Sequence, residues 1–475
     1  MTDRTCLPRT GAMILALLLS ACTVGPDFVR PAPDLPATFA GAQGPVKPVA
    51  AAWWHGFEDR ALDALEARGV VNNLDIRQAV ERIAAAQAQY GVDGAEGAPS
   101  LTAQGNYSRN RVGTAGIADF ARPLLGLEKG DGDAPKGVDF DMVGIGGSAS
   151  WEIDLWGRIR RRREAAGAQV AESQADADGM RLSVQAEIAR TYFQWRQAVR
   201  ELMQARRSLA LAERAAAALK ALEARGLASR ADVIERESRV RAARRNGSSL
   251  QEQRDRLRRA LAVLVEGRPD APLDILDIHD DEPALGPPPS SLPSQMVRSR
   301  PDILAAEARL HAATALVGAA KADFYPAISL SGLFSLDALS LKDLGWDSRN
   351  TSIGGAISLP IFSGGRLQRT LDLRKSEQRS AALAYRATVV AAWQEVEDAL
   401  SSLRALNDQL ELGKAERDAR AVIAKTSDLR ARRGETGLLP LLDAQAAAIE
   451  AETQAQRQRT AVLLAHVQLY RALGR

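Results

Sequence analysis

Two stretches of this 475-residue chain, Arg158–Arg225 and Arg366–Arg433, run 68 residues each without a proline, and each is bracketed by glycines. A run of that length free of helix breakers is a candidate continuous helix, and at about 1.5 Å per residue it reaches roughly 100 Å. No bilayer is that thick, so such a rod passes through water, and it persists there only by burying a stripe against neighbours. The alanines of "AERAAAALKALEA" and "AALAYRATVVAA" permit close approach. Two pairs of shorter helical segments, Asn73–Ala98 with Arg230–Val265 and Asp302–Phe324 with Leu438–Leu473, match the long runs in total length. Each half of the chain therefore supplies two full-length rods. By itself this pattern also suits a solid antiparallel bundle with no bore.

The two halves are copies. "ERIAAAQAQYGVDGAEGAPSLTAQG" (Glu81–Gly105) aligns with "ARLHAATALVGAAKADFYPAISLSG" (Ala308–Gly332) at an offset of 227. From Trp151 onward the offset is 208, pairing Gly157 with Gly365, Glu187 with Glu395 and Gly226 with Gly434. The drop from 227 to 208 gives the first copy 19 more residues, which fall in the Gly-rich stretch Gly113–Gly137. An internal repeat of this kind governs the whole reading of the chain. The expected division is a signal sequence over 1–21, an anchored Pro-rich segment over 22–72, repeat one over 73–266, a linker over 267–299 and repeat two over 300–475.

Each copy holds two segments with the two-residue period of a strand. In the first, Leu101, Ala103, Gly105 and Tyr107 alternate with Ser100, Thr102, Gln104, Asn106 and Ser108, and Ile328, Leu330, Gly332 and Phe334 repeat that phase. In the second, Val143, Ile145, Gly147, Ala149, Trp151 and Ile153 form one face, matched by Ile353, Gly355, Ile357, Leu359 and Ile361. The expected strands cover about 100–110, 139–156, 327–337 and 351–362. The intervening face is small and polar, which suits apolar-out, polar-in barrel strands better than a soluble two-sheet core. Four strands cannot close a barrel and an open edge is not tolerated in hydrocarbon, so the barrel is shared between chains. Two chains would give about eight strands and a filled interior, three about twelve and a lumen.

The chain begins with Arg4 and Arg9, an apolar run Ala12–Leu19 too short to span a bilayer, and then Leu19-Ser20-Ala21-Cys22. That order reads as a secretory signal followed by a lipobox, with Cys22 expected to carry a diacylglyceryl thioether and an acylated amino terminus. Several acyl chains suffice for stable anchoring. Thr23 in place of an aspartate directs the expectation to the outer membrane. Cys6 leaves with the signal, so the mature chain is expected to hold one cysteine, lipidated, and no disulfide.

The formal net charge of +3 is a near balance of many charges, with nothing that calls for nucleic acid. His55, His279, His311 and His466 are scattered, and no HExxH, CxxC or phosphate-binding loop occurs. "GIGGSAS" lies within a strand phase, and Glu395 and Glu397 sit on a helix with many partners nearby, where a solvated or ion-paired face is the ordinary outcome. The chain reads as a non-enzyme without metal or cofactor.

With the start "CTVGPDFVRP", then "WWHGF", "NNLDIRQAVERI", "IDLWGR", "RPDILAAEARL", "FYPAISLSG", "LPIFSGGR", "LLDAQAAAIEAETQ" and "LYRALG", nearly the whole mature chain resembles the TolC-like outer membrane factors. The likeness is strongest to the NodT-type lipoprotein branch that serves RND-type multidrug efflux. The resemblance implies a mainly α fold with a transmembrane β part, assembled as a homotrimer. A twelve-stranded barrel would continue into an α-helical periplasmic tunnel, the exit duct for an inner-membrane pump with a periplasmic adaptor. The linker and terminal segments would form a mixed domain about the tunnel's waist. Export of protein or metal would share this architecture, and a non-conducting scaffold would keep only rods and anchor.

Three groups of residues are candidates for function. The basic run Arg158, Arg160, Arg161, Arg162 and Arg163 beside Trp156 is either a barrel-rim contact for anionic lipid headgroups or a solvated helix start. The rod-to-rod turns Ala224–Glu235 and Arg432–Gln445 place Gly226 and Gly434 as helix stops and expose Arg225, Asp232, Arg432, Arg433 and Asp443. The resemblance puts the narrow inner mouth at these turns. Asp443 matches an acidic position there, and Pro440 stands where relatives can have a second aspartate. Asp232 is the expected substitute for that charge, and the alternative for Asp443 is pairing with Arg432 or Arg433.

Overall fold

The computed structural model describes residues 23–32, 35–40, 52–113, 138–277, 282–286 and 292–474. The signal sequence, Cys22, His279 and nearly all of the Gly113–Gly137 stretch lie outside the described residues. The helices are α1 (Arg60–Asn72), α2 (Leu74–Ala95), α3 (Arg158–Glu223), α4 (Arg230–Glu266), α5 (Pro293–Ser299), α6 (Pro301–Ala322), α7 (Arg366–Arg432) and α8 (Leu438–Leu473). The strands are β1 (Ser100–Val112), β2 (Val138–Ile153), β3 (Ala327–Ala338) and β4 (Arg349–Ser358).

The two long helices exist without interruption and stop by the same device. After α3, the Gly226 N–H bonds to the Glu223 carbonyl (2.8 Å) and the Leu227 N–H reaches back to Leu222 (2.9 Å), with Gly226 at φ +71°. After α7, Gly434 (φ +74°) bonds to Ala431 (3.0 Å) and Glu435 to Arg430 (2.9 Å). This is the paired closure that satisfies the last helical carbonyls, and it needs a left-handed residue that glycine supplies at no side-chain cost. The final arginines of both expected runs are absorbed into the turns. Asn73, expected as the first residue of a helix, is its cap: its side-chain oxygen accepts from the Asp75 (2.9 Å) and Ile76 (3.2 Å) N–H groups.

The expected Pro-rich segment over 22–72 contains a helix at its end, Arg60–Asn72. Asp59 caps α1 by accepting from Ala61 and Leu62 (3.0 and 3.1 Å), and Leu62 and Leu65 are fully buried. A capping aspartate before an apolar pair three apart was the signal for it.

The strands form one antiparallel sheet in the order β1-β2-β3-β4. Ser100 pairs with Ser150 across β1 and β2, and Ala327 with Ser358 across β3 and β4. Those two pairs are related by the same offsets as the sequence copies, so both hairpins have one register. Leu101, Ile145, Trp151, Leu330, Phe334, Ile353 and Ile357 fall on one face. Ser148, Ser329, Ser331, Ser352, Asn106 and Asp337 fall on the other. On that polar face Gly144 makes room for Asn106 and Asp337, whose oxygens a Cβ would meet at 2.5 Å. Two expected strand ends are corrected. β4 stops at Ser358 because Pro360 has no N–H to continue the ladder, leaving Ile361 and Phe362 outside it and exposed. β2 stops at Ile153 because Asp154 turns to accept the Arg160 N–H at the start of α3 (2.8 Å).

The chain divides into two compact units. One comprises the described residues within 1–29, 87–169 and 310–380 and contains the sheet with the helix ends that adjoin it. The other comprises those within 30–86, 170–309 and 381–475 and contains the main apolar core. In that core the Trp53 ring stacks on Tyr470 (centroids 5.1 Å apart) and Phe57 meets Phe193 edge-on (5.0 Å). Buried Arg300 explains why "RPD" and "LYRALG" occur together. Its guanidinium donates to Asp302 (2.6 Å), Glu395 (2.8 Å) and the Ala472 carbonyl at the end of α8 (2.6 Å). Glu397 accepts the Ala40 N–H (2.8 Å). The expected linker over 267–299 contributes α5 and buried Leu273 and Met296 to the same core. Glu282 of that linker accepts from Arg200 (3.1 Å) and Gln456 (2.9 Å).

Candidate functional site at the helix turns and the strand to helix corner

At the first turn, Ser229 caps α4. Its hydroxyl oxygen accepts the Asp232 N–H (3.1 Å), while the Asp232 carboxylate accepts from the Ser229 N–H (3.3 Å) and Oγ (2.7 Å). This reciprocal box satisfies two orphan donors of the helix start, so Asp232 has a structural use for its charge. The corresponding position of the second turn, 208 residues on, is Pro440, in the first turn of α8. Proline is tolerated there because that N–H has no intrahelical partner. Pro440 cannot complete such a box, and Gly437 at the start of α8 makes no side-chain cap.

Asp443 is held by a residue the sequence did not point to. Arg236 of α4 grips it with both terminal nitrogens, at 2.6 and 2.9 Å. The hydrogen bonds from Arg236, ahead of its charge, hold the Asp443 carboxyl below the usual carboxylate range. Arg432 pairs instead with Asp428 (2.9 Å) and Arg433 with Glu435 (3.9 Å), while Arg225 is exposed. Asp443 lies one helical turn inside α8 and Arg236 lies one turn beyond Asp232. Only side-by-side packing of α4 and α8 brings them together, and no local spacing encodes it.

At the strand to helix corner the five arginines are each engaged. Arg158 forks onto Glu152 (3.1 and 2.7 Å), and Arg160 binds Asp154 and the carbonyls of Asp154 and Leu155. Buried Arg161 bridges Asp27 (2.6 Å) and Glu164 (2.7 Å), Arg162 reaches Glu96 (3.5 Å), and Arg163 lies over the Tyr90 ring (4.9 Å). Trp156 stacks on Tyr325 (4.8 Å) and donates to the Pro326 carbonyl (2.8 Å). The arginines therefore tie β2, α2, α3 and the Thr23–Val29 strap to one corner; carboxylates near in sequence or space pair with Arg158, Arg160, Arg161 and Arg162, and Arg163 rests on an aromatic ring. His311, stacked on Phe28 (4.4 Å), bonds to Glu164 (2.9 Å) in the same corner. Among the described residues no group of three His, Cys, Asp or Glu side chains is arranged to hold a metal ion.

Comparison with known proteins agrees with this geometry. The family model described as outer membrane efflux protein matches residues 69–266 and 292–475, one segment per repeat. The outer membrane protein OprJ of Pseudomonas aeruginosa is 31% identical over 471 residues, covering 98% of this chain and 95% of the relative. The toluene efflux pump outer membrane protein TtgC of Pseudomonas putida is 30% identical over 481 residues, covering 97% and 94%. Among solved structures, the outer-membrane channel OprN superposes with a TM-score of 0.81 at 28% identity, covering 95% of this chain and 99% of that one.

Proposed function

Because the chain belongs to the outer membrane efflux protein family, it is the outer membrane channel component of a tripartite efflux system, and we propose that its two helix turns form the periplasmic entrance, latched by Arg236 and Asp443. The protein works as a trimer in the outer membrane of a Gram-negative bacterium and extends into the periplasm. Its partners are a periplasmic adaptor and an inner-membrane pump of the RND type. Three copies of a four-stranded sheet with two open edges make the twelve-stranded barrel, polar face inward. The relatives are outer membrane channels; we read this chain likewise as a passive duct with no catalytic residue and no cofactor. TtgC is named for toluene efflux, and we extend that chemistry to this chain as small toxic compounds.

The observation that carries the entrance reading is the two-pronged contact between α4 and α8, one helical turn from the tips. Pairing cancels the charge of Asp443, so the latch acts on opening and not on ion preference. In planar bilayers Asp443→Asn should raise conductance, and exchanging the partners as Arg236→Asp with Asp443→Arg should return it toward the original value. A swapped channel that conducts like the single variant defeats the latch. Cys22 supplies the proposed lipid anchor: labelled fatty acid should enter the wild type and be absent from Cys22→Ser, and equal labelling of both would remove the anchor from the reading.

A further inference from the structure

The two ends of the sheet's apolar face finish differently. At the helix end, Arg158, Arg160, Arg161 and Arg162 meet carboxylates. At the loop end, β3 and β4 are joined by two single-turn 3-10 segments, Leu341–Asp343 and Trp346–Ser348. Leu339 (64% exposed), Leu341 (73%) and Trp346 (68%) stand out from this connection. The Trp346 ring packs on Phe334 (6.1 Å), a residue of the apolar face, and the Arg349 guanidinium lies over Trp346 (5.5 Å) while donating to its carbonyl (2.9 Å). Arg349 pairs in register with Leu336, which puts it on the same face. Directly opposed residues of antiparallel strands share a face, so ring packing and register agree.

Charge sets this arginine apart. Along the same end of that face Arg109 lies 4.0 Å from Asp141 and Arg111 3.8 Å from Asp139. Arg349 has no carboxylate within ion-pair distance among the described residues, and Asp343 of the connection is turned to Ser340 (2.8 Å). Lys342 adds a second exposed cation. An exposed, weakly hydrated guanidinium held over an indole, at the border of a lipid-facing apolar surface, suits a phosphate group attached to acyl chains. The helices extend into the periplasm, so this end meets the outer leaflet.

We infer that Arg349, Trp346 and Lys342, with Leu339 and Leu341, form a binding surface for a phosphorylated glycolipid of the outer leaflet, its phosphate on Arg349 and its chains along Phe334 and the apolar face. The inference goes beyond efflux and rests only on the lipid-facing barrel. In the trimer the surface occurs three times.

The test reconstitutes the full trimer in phosphatidylcholine bilayers containing diphosphorylated lipid A, dephosphorylated lipid A or phosphatidylglycerol. Lipid still bound after gentle re-extraction is then counted by native mass spectrometry. At about one lost cationic contact per site, the wild type should retain the diphosphorylated form roughly fivefold better than the dephosphorylated one, and Arg349→Gln should erase that preference. Trp346→Ala should weaken it and Lys342→Gln should weaken it less. The same spectra report whether the trimer is intact; if Arg349→Gln does not assemble, Arg349→Lys, which keeps charge without the stacked plane, must show a reduced preference. Equal retention by wild type and an assembled Arg349 variant overturns the surface. Equal retention of phosphatidylglycerol overturns the glycolipid assignment. Conductance of the same samples reports separately on the channel.

Discussion

In the first half of the chain the long helix closes at Gly226 and the next begins at a Ser229–Asp232 box; in the second it closes at Gly434 and the next begins at Gly437 with Pro440 inside its first turn. The stops are the same and the starts are not. The hairpins show the same division. Ser100↔Ser150 and Ala327↔Ser358 hold one register, whereas the positions matching Arg158, Arg160, Arg161, Arg162 and Arg163 are Arg366, Gln368, Arg369, Thr370 and Leu371. Backbone-determined features recur in both copies because a shifted register would turn every side chain to the wrong face, and a missing left-handed stop would leave carbonyls unsatisfied. Charged side chains diverged because each needs only one satisfactory partner, and different partners serve equally.

The sharpest expected difference between the copies lies in acid. His466 of α8 is 4% exposed beside Phe57, and burial lowers its pKa from 6.5 to about 4. Its counterpart in the first copy is the exposed Arg258. Above pH 6.5 the imidazole is neutral in folded and unfolded chain alike. As pH falls from 6.5 toward 4 only the unfolded chain takes up the proton, so stability declines through that window by about 3 kcal/mol and then levels off. Thermal unfolding of the full protein across that range should show the decline, and His466→Leu should remove that part of it. An unchanged slope in the variant would assign the acid sensitivity elsewhere.

The likeness of the two stops is open to a smaller test. At Gly226 and Gly434 a Cβ would have no neighbour within 4 Å, so alanine at either meets only backbone strain. Each substitution should cost about 1–2 kcal/mol, the penalty of a left-handed alanine. Matching losses in unfolding midpoint support a shared device. A loss confined to one turn would break the equivalence.

Much of the fold could be read from the residues alone, and the reasons are local. Proline-free length determined the long helices, alternation determined the strands and the apolar face, and the offset of the copies determined that both hairpins share one register. Each rests on a period or a steric rule acting within a few residues. Pro360 and Asp154 also ended their strands by local rules, which the alternating apolar pattern concealed. The partners were another matter. Arg236 lies 207 positions from Asp443, Asp27 lies 134 from Arg161, and Arg300 reaches Ala472 across 172. A charge seeks any opposite charge that packing brings within about 3 Å, and no spacing along the chain records which one arrives. Tertiary structure alone therefore decided that Arg161 reaches Asp27, that Asp443 is held by α4, and that Arg349 lies over its indole with no carboxylate partner among the described residues.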